Sequence, residues 1–274
     1  MPLLSTSPDA LSEYLADIAW QAGCVLRSLR RNLSHVSTKD DGSPVTEADR
    51  QAEKIILARL QELWPAVPVV AEESGGKAGR DELFFMVDPL DGTRDYIRPE
   101  GEYTVNIALI HKQRPVAAAI AAPEDRHVWI AGEQARVLVV PDGPECLQGQ
   151  KLHWQTIKTR SIPREGGIAL VSRRRNDQSE ERIMDKLPIV SRQSASSAIK
   201  FCWIASGQAD IYVRCRPTME WDTAAGDHIL ACAGGTLFGR GGAPFLYGRQ
   251  NKGYLNGAFA AIGDRTLEKY IDLP

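Results

Sequence analysis

Apolar positions along the chain recur with two periods, and the switches between them mark out the elements. Behind Ser7-Pro8, a pair that can cap and begin a helix, Leu11, Leu15, Ile18, Ala19, Ala22, Leu26 and Leu29 fall at helical spacing. A second helical stripe, Ala52, Ile55, Ile56, Leu60 and Leu63, follows Thr46-Glu47-Ala48-Asp49 and stops at Pro65. Runs of strand length come next: Val67-Pro68-Val69-Val70-Ala71, then Leu83-Phe84-Phe85-Met86-Val87. The second should end near Asp88, because Pro89 cannot donate to a ladder. Residues 103–110 and 115–122 predict a strand pair across the turn His111-Lys112-Gln113-Arg114, with 127–131 as a third strand. Residues 132–150, rich in Gly and Pro, read as the boundary between two halves.

Beyond that boundary strand and helix alternate. The pattern predicts a strand at 168–171, a helix at 177–187, a short strand at Ile189-Val190 and a helix at 198–206 ended by Gly207. A strand at 209–214 and a helix at 222–233, closed by Gly234-Gly235, follow, and the glycines near Gly239 and Gly241 read as a surface turn. The expected fold class is α/β: an α+β N-terminal half over residues 1–140 that carries most candidate metal ligands, and an α/β C-terminal half over residues 141–274 that carries specificity.

Composition narrows the function classes. With 274 residues the chain can bury a sizeable core, and a formal net charge of -2 speaks against a nucleic-acid polymer as partner. Five scattered cysteines with no Cys-x-x-Cys argue against a disulfide framework or a thiolate zinc site. Residues 1–9 lack the pattern of a signal peptide and no apolar run could span a bilayer, so the expected location is cytoplasmic, with peripheral inner-membrane association left open.

The candidate chemistry lies at element ends. Asp88-Pro89-Leu90-Asp91-Gly92-Thr93 offers two carboxylates, a free carbonyl at Leu90 and a hydroxyl, hard oxygen donors of the kind magnesium takes; the plainer alternative is a solvated Asp-Gly turn. Asp49 reads either as a carboxylate supporting a helix start or as a group facing a cation or the attacking water. Of Glu72-Glu73, neighbours on a strand end, only one should reach a site. Asp222, beside Trp221, reads as an N-cap or as a further acid. Ser196-Ser197-Ala198-Ile199-Lys200, with Arg214 and Arg216 downstream, places two hydroxyls at a helix start near three cations, a set that suits an anionic substrate.

Taken in order and spacing, Thr46-Glu47-Ala48-Asp49, Glu72-Glu73-Ser74, Asp88-Pro89-Leu90-Asp91-Gly92-Thr93 and Trp221-Asp222-Thr223-Ala224-Ala225-Gly226 resemble the signatures of the inositol monophosphatase superfamily of lithium-sensitive, magnesium-dependent phosphatases. Within it, Ser197-Ala198-Ile199-Lys200-Phe201-Cys202, Arg214 and Arg216-Pro217-Thr218 look most like the bacterial CysQ-type 3'(2'),5'-bisphosphate nucleotidases. The resemblance implies a layered αβαβα sandwich. Glu72, Asp88, Asp91, Asp222 and the Leu90 carbonyl would hold two magnesium ions (Mg2+), with Asp49 near a third ion or the nucleophilic water. Gly92 and Thr93 would receive the scissile phosphate. Ser197, Lys200 and Arg214 would bind the rest of a nucleotide bisphosphate, and Lys39 is a weaker basic candidate.

The expected activity is removal of the 3'-phosphate of adenosine 3',5'-bisphosphate, with its sulfated analogue as a second candidate substrate. No protein nucleophile is required in this scheme: a magnesium-bound water, oriented and deprotonated by Glu72 and Thr93, would attack the phosphate directly. Inositol phosphate or fructose bisphosphate are the alternative substrates, and a silent nucleotide-binding protein is the alternative of another class. A monomer or homodimer is expected.

Overall fold

The computed structural model describes the chain apart from residues 1, 2, 4, 5, 32–35, 39–43, 79–82, 99, 100, 144 and 174–176, and gives backbone alone at 36–38 and 44–46. Helix α1 (Pro8–Arg30) is capped by Ser7, whose hydroxyl accepts the Ala10 N–H, and ends in a turn that carries Arg27 and Arg30. A hairpin of β1 (Val36–Thr38) and β2 (Pro44–Thr46) leads into α2 (Glu47–Leu63). Strands β3 (Val69–Ala71), β4 (Leu83–Asp91), β5 (Thr104–His111), β6 (Arg114–Ala122), β7 (His127–Ala131), β8 (Ala135–Val139) and β9 (Gln155–Thr156) form one sheet in sequence order, with the single helical turn α3 (Thr93–Tyr96) between β4 and β5. Within this sheet, among the described residues, β3 and β4 run parallel and the other neighbours antiparallel.

The chain continues through β10 (Gly167–Ser172), α4 (Gln178–Met184), β11 (Ile189–Ala195), α5 (Ile199–Ala205), β12 (Ile211–Arg214), β13 (Thr218–Met219), α6 (Ala224–Cys232), β14 (Thr236–Gly239), β15 (Leu255–Asn256) and β16 (Phe259–Ile262). A second sheet has the order β11-β10-β12-β16-β14, and β13 pairs with β15 in a separate ribbon.

Alternation within the strands builds the layers. In β4, Phe85 and Val87 pack with α1 and α2, while Phe84 and Met86 pack toward α5 and α6. In β6, Ala117, Ala119 and Ala121 take the first side and Ala118, Ile120 and Ala122 the second. A sheet buried on both faces reads as an unbroken apolar run, which is why these strands stand out in the sequence. The second sheet closes the other side of α5 and α6 with Leu170, Tyr212 and Phe259, and turns Ala169, Ile211 and Val213 toward α4 and the 3-10 helix Arg265–Tyr270. The order is helix, sheet, helix, sheet, helix, as expected.

Several boundaries differ from expectation. Strand β4 continues past Pro89 to Asp91, for a reason given below. Residues 132–150 are not all connection, since β8 lies within them, and β9 carries the same sheet on to Thr156. The short apolar run of β8 was masked by its Gly- and Pro-rich flanks. Strand β11 extends through polar, exposed Ser191, Arg192, Gln193 and Ser194; as a sheet edge it needs no apolar alternation. Strands β14 and β16 had no counterpart in the reading of the sequence. Among the described residues no helix is long and apolar enough to cross a membrane.

Candidate active site

The centre of the site is a defect in β4. Asp88 lies opposite Asn106 and Asp91 opposite Thr104, so Pro89 and Leu90 together face the lone Val105 of β5. That is a β-bulge, where a missing donor costs no ladder bond, and Pro89 therefore does not end the strand. The Leu90 N–H turns back to Asp88 Oδ1 at 3.0 Å. The Leu90 carbonyl accepts from Thr93 Oγ at 3.2 Å, and the same hydroxyl lies 3.2 Å from Asp49 Oδ1. Asp49, 1% exposed in the first turn of α2, is thereby brought to the bulge.

Gly92 follows in the left-handed region, with φ of 95°, and opens α3. A Cβ there would stand 3.1 Å from the Glu102 carbonyl oxygen, so glycine is favoured by conformation and by the close approach of the Glu102 backbone, with the Ser197 Cβ at ordinary contact distance, 3.5 Å.

Asp222 joins from the far side. It ends a 3-10 turn, Glu220–Asp222, instead of capping α6, and its carboxylate accepts the Met219 N–H at 2.9 Å. The turn is separated from α6 because Glu220 is fully buried and engaged with the 248–249 backbone. Carboxylate oxygens of Asp88, Asp91 and Asp222 lie within 4.8 Å of one another. Glu72, at the end of β3, stands beside this cluster with its side chain hydrogen-bonded to Asp88, whereas the Glu73 N–H is held by the Glu53 carboxylate at 2.9 Å, away from the cavity.

Burial, then the charges of Glu72, Asp91 and Asp222, pushes the Asp88 carboxyl well above the usual range. Burial followed by Asp91 and Glu72 does the same to Asp222. Asp91 is raised by burial but relieved by Lys200 and by a hydrogen bond from Asn106. Such a set cannot all ionise without positive charge among it, and its all-oxygen donors fit a magnesium ion.

The opposite wall comes from the second half. Ser197 adopts φ of 56° and its buried Oγ has no hydrogen-bond partner among the described residues. Lys200, 4% exposed, donates to the Ser197 and Ala195 carbonyls at 2.7 and 3.3 Å and sits 4.9 Å from the Tyr212 ring centroid. Burial pulls its ammonium down to about 8, against the pull of Asp91. Arg214 donates to Ser172 Oγ at 3.2 Å and has a buried Nε without a hydrogen-bond partner among the described residues.

Two expected contributors are otherwise occupied. Arg216 pairs with Asp177 at 3.0 Å, at the cap of α4. Ser196 Oγ donates to Asp95 at 2.6 Å and its N–H to Glu102 at 2.8 Å, so it fastens the loop to α3. Neither serine begins α5, which starts at Ile199. Lys39 lies outside the described residues.

Together Glu72, Asp91, Thr93, Lys200, Arg214 and Asp222 line one cavity of about 470 Å³. Sequence reading missed Asn106, whose Nδ2 reaches Asp91 at 3.4 Å; a polar residue inside the apolar run of β5 was the available signal. It also missed Met219 and Leu255 of the β13–β15 ribbon at the cavity mouth, where two-residue strands leave no periodicity.

The chain resembles known proteins over nearly its whole length. A model of the inositol monophosphatase family matches residues 8–271. The 3'(2'),5'-bisphosphate nucleotidase CysQ of Escherichia coli K12 is 35% identical over 227 residues, 82% of this chain and 87% of that protein. The protein of the same name from Haemophilus influenzae is 28% identical, covering 97% of each chain. The crystal structure of CysQ from Bacteroides thetaiotaomicron superposes with a TM-score of 0.76 at 32% identity, over 96% of this chain and 99% of the other. An inositol monophosphatase from Anabaena shares the fold, with a TM-score of 0.72 at 20% identity over 96% and 94% of the two chains. The chain belongs to the inositol monophosphatase family, whose members are metal-dependent phosphatases.

Proposed function

We propose that the protein is a magnesium-dependent phosphomonoesterase that removes the 3'-phosphate of adenosine 3',5'-bisphosphate, giving AMP and phosphate, with the 3'-phosphoadenylyl sulfate analogue as a second substrate. The observation that carries this reading is the meeting, in one cavity, of an acid cluster with a separate cationic wall made by Lys200 and Arg214. A substrate with one phosphate at the acids and a second beyond them would satisfy both. The names of the similar proteins support the nucleotide over other bisphosphates.

In this reading Asp88, Asp91, Asp222, Glu72 and the Leu90 carbonyl would hold two magnesium ions, with Asp49 near a third ion or the attacking water. When bound, the metal would supply Lewis-acid chemistry that makes water nucleophilic near neutral pH and stabilises charge on the leaving oxygen. Glu72 takes the proton of the attacking water, and the Thr93 hydroxyl, held between Asp49 and the Leu90 carbonyl, orients it. The Gly92 and Thr93 N–H groups meet the scissile phosphate. Lys200, Arg214 and the unpaired Ser197 hydroxyl bind the remaining phosphate and the ribose, where charge-assisted hydrogen bonds are strongest because the groups are shielded from water.

The test is a substrate panel with one purified preparation in magnesium, measuring phosphate release. Preferred turnover of adenosine 3',5'-bisphosphate is expected. Turnover of inositol phosphate or fructose 1,6-bisphosphate without the nucleotide would transfer the reading to those sugars, and binding of the nucleotide without turnover would favour a silent binding protein.

A further inference from the structure

The last turn of α1 meets the segment that follows α3, and the junction is rich in arginine. Arg30 is fully used: Nε donates to the Tyr96 carbonyl at 3.0 Å, Nη2 to the Gly101 carbonyl at 2.9 Å, and Nη1 pairs with Glu124 at 2.9 Å. Its guanidinium also lies 5.7 and 5.1 Å from the Tyr96 and Tyr103 ring centroids. Arg27, Arg31 and Arg98 differ: none has a hydrogen bond or an ion pair from its side chain among the described residues. All three line one cleft of about 460 Å³, floored by Tyr96 and Ile97. The acid on its wall, Glu124, is already committed to Arg30 and to the Tyr103 hydroxyl at 3.0 Å.

Helix polarity accounts for part of this. Cations in the last turn of a helix are favoured by its dipole, which explains Arg27 and Arg30. It does not explain Arg98, delivered from another element, nor the further charge at Arg31, the C-cap of α1, four residues after Arg27, where like charges repel. A chain of net charge -2 here gathers three guanidinium groups, none in an ion pair among the described residues, around a space of small-ligand size, although Arg27 and Arg31 also line a neighbouring cleft that holds Glu145. Guanidinium forks match phosphate oxygens, and an anion between them would convert repulsion into paired hydrogen bonds.

We propose that this cleft is a second, non-catalytic site for a small phosphate-bearing molecule, held by Arg27, Arg31 and Arg98. The placement gives it a route to the cavity described above. The stretch 93–98 lines that cavity at Thr93, Arg94 and Asp95 and this cleft at Tyr96, Ile97 and Arg98. A ligand bridging α1 and Arg98 would fix the back of α3.

Calorimetric titration of inorganic phosphate into the full-length, magnesium-loaded protein at low salt tests the site, comparing wild type with R31E/R98E. A phosphate-binding event that is weakened at least tenfold in the variant, with panel turnover unchanged, is expected. Identical isotherms for the two proteins overturn the proposal, as does a wild type that binds no phosphate outside the catalytic cavity. Should the charge reversal prevent folding, judged by circular dichroism, R31Q/R98Q serves for the same comparison. Failure of the phosphatase reading would remove turnover and catalytic phosphate binding from both proteins alike, leaving the difference between them intact.

Discussion

Replacing Glu220 should cost more stability than replacing any cavity-lining carboxylate, although Glu220 touches none of the proposed chemistry. Its side chain is fully buried and accepts from the Gly248 N–H, from the Arg249 N–H at 3.2 Å and from Arg249 Nε at 2.8 Å. Arg249 in turn reaches Asn256, whose amide donates to the Met219 carbonyl at 3.2 Å and to Thr223 Oγ at 2.9 Å. The network therefore anchors both strands of the β13–β15 ribbon and the turn that presents Asp222. Glu220→Ala leaves a guanidinium and two backbone donors without their acceptor. Breaking a buried pair in this way costs about 3–5 kcal/mol. At roughly 2–4 °C per kcal/mol for a chain near this size, the melting temperature should fall by about 10 °C. Glu220→Gln, which keeps one acceptor oxygen, should lose about half as much. Differential scanning calorimetry at fixed magnesium and pH provides the comparison. A fall of less than about 3 °C for Glu220→Ala would mean that the ribbon and turn are held by packing alone, and the argument from the network would be wrong.

Three further outcomes follow from the same geometry. In the metal-free protein Asp88 and Asp222 hold protons to higher pH than in the unfolded chain, so stability should fall as pH rises through their elevated values, whereas magnesium needs them ionised. The gain in melting temperature on adding magnesium should accordingly be small near pH 5 and widen toward pH 8; a gain independent of pH would contradict the raised values. Lys200, with its ammonium near 8, is a cation below that pH and neutral above it, so KM for the bisphosphate should rise between pH 7 and 9. Lys200→Met should raise KM about tenfold or more at pH 7 and abolish that step, and a variant keeping the wild-type KM profile would remove Lys200 from substrate binding. In Gly226→Ala the added Cβ would lie 2.4 Å from Phe201 Cγ and 2.8 Å from its Cβ. Overpacking of about 1–3 kcal/mol should outweigh the ~1 kcal/mol gain in helix propensity, lowering the melting temperature and raising KM because Phe201 lines the cavity. A more stable variant would refute this.

What could be read from the sequence was what has a local cause. Helix α1 announces itself through Ser7-Pro8 and an apolar stripe, and β4, β5 and β6 through runs buried on two faces. The acids of the candidate site were visible as charged residues at element ends. Their convergence was not, because it depends on pairing register: nothing local tells that Asp88 faces Asn106 while Asp91 faces Thr104. The same limit hid the different fates of Arg214 and Arg216. They are separated by one residue, yet one enters the cavity and the other caps α4 through Asp177. Strands β14 and β16 escaped because each is short, and their pairing joins segments distant along the chain.

The bulge in β4 can finally be seen as a matter of parity. Along an undisturbed strand, positions an odd number apart look to opposite sides, so aspartates three apart should never share a space. One surplus residue in β4 changes odd to even, and the carboxylates of Asp88 and Asp91 meet. Removing Pro89 by deletion would leave the aspartates two apart, an even count that keeps them on a common side without any irregularity. What the regularised strand would forfeit is the Leu90 carbonyl, drawn back into the sheet. The proline thus matters less for the two acids than for the uncharged oxygen between them.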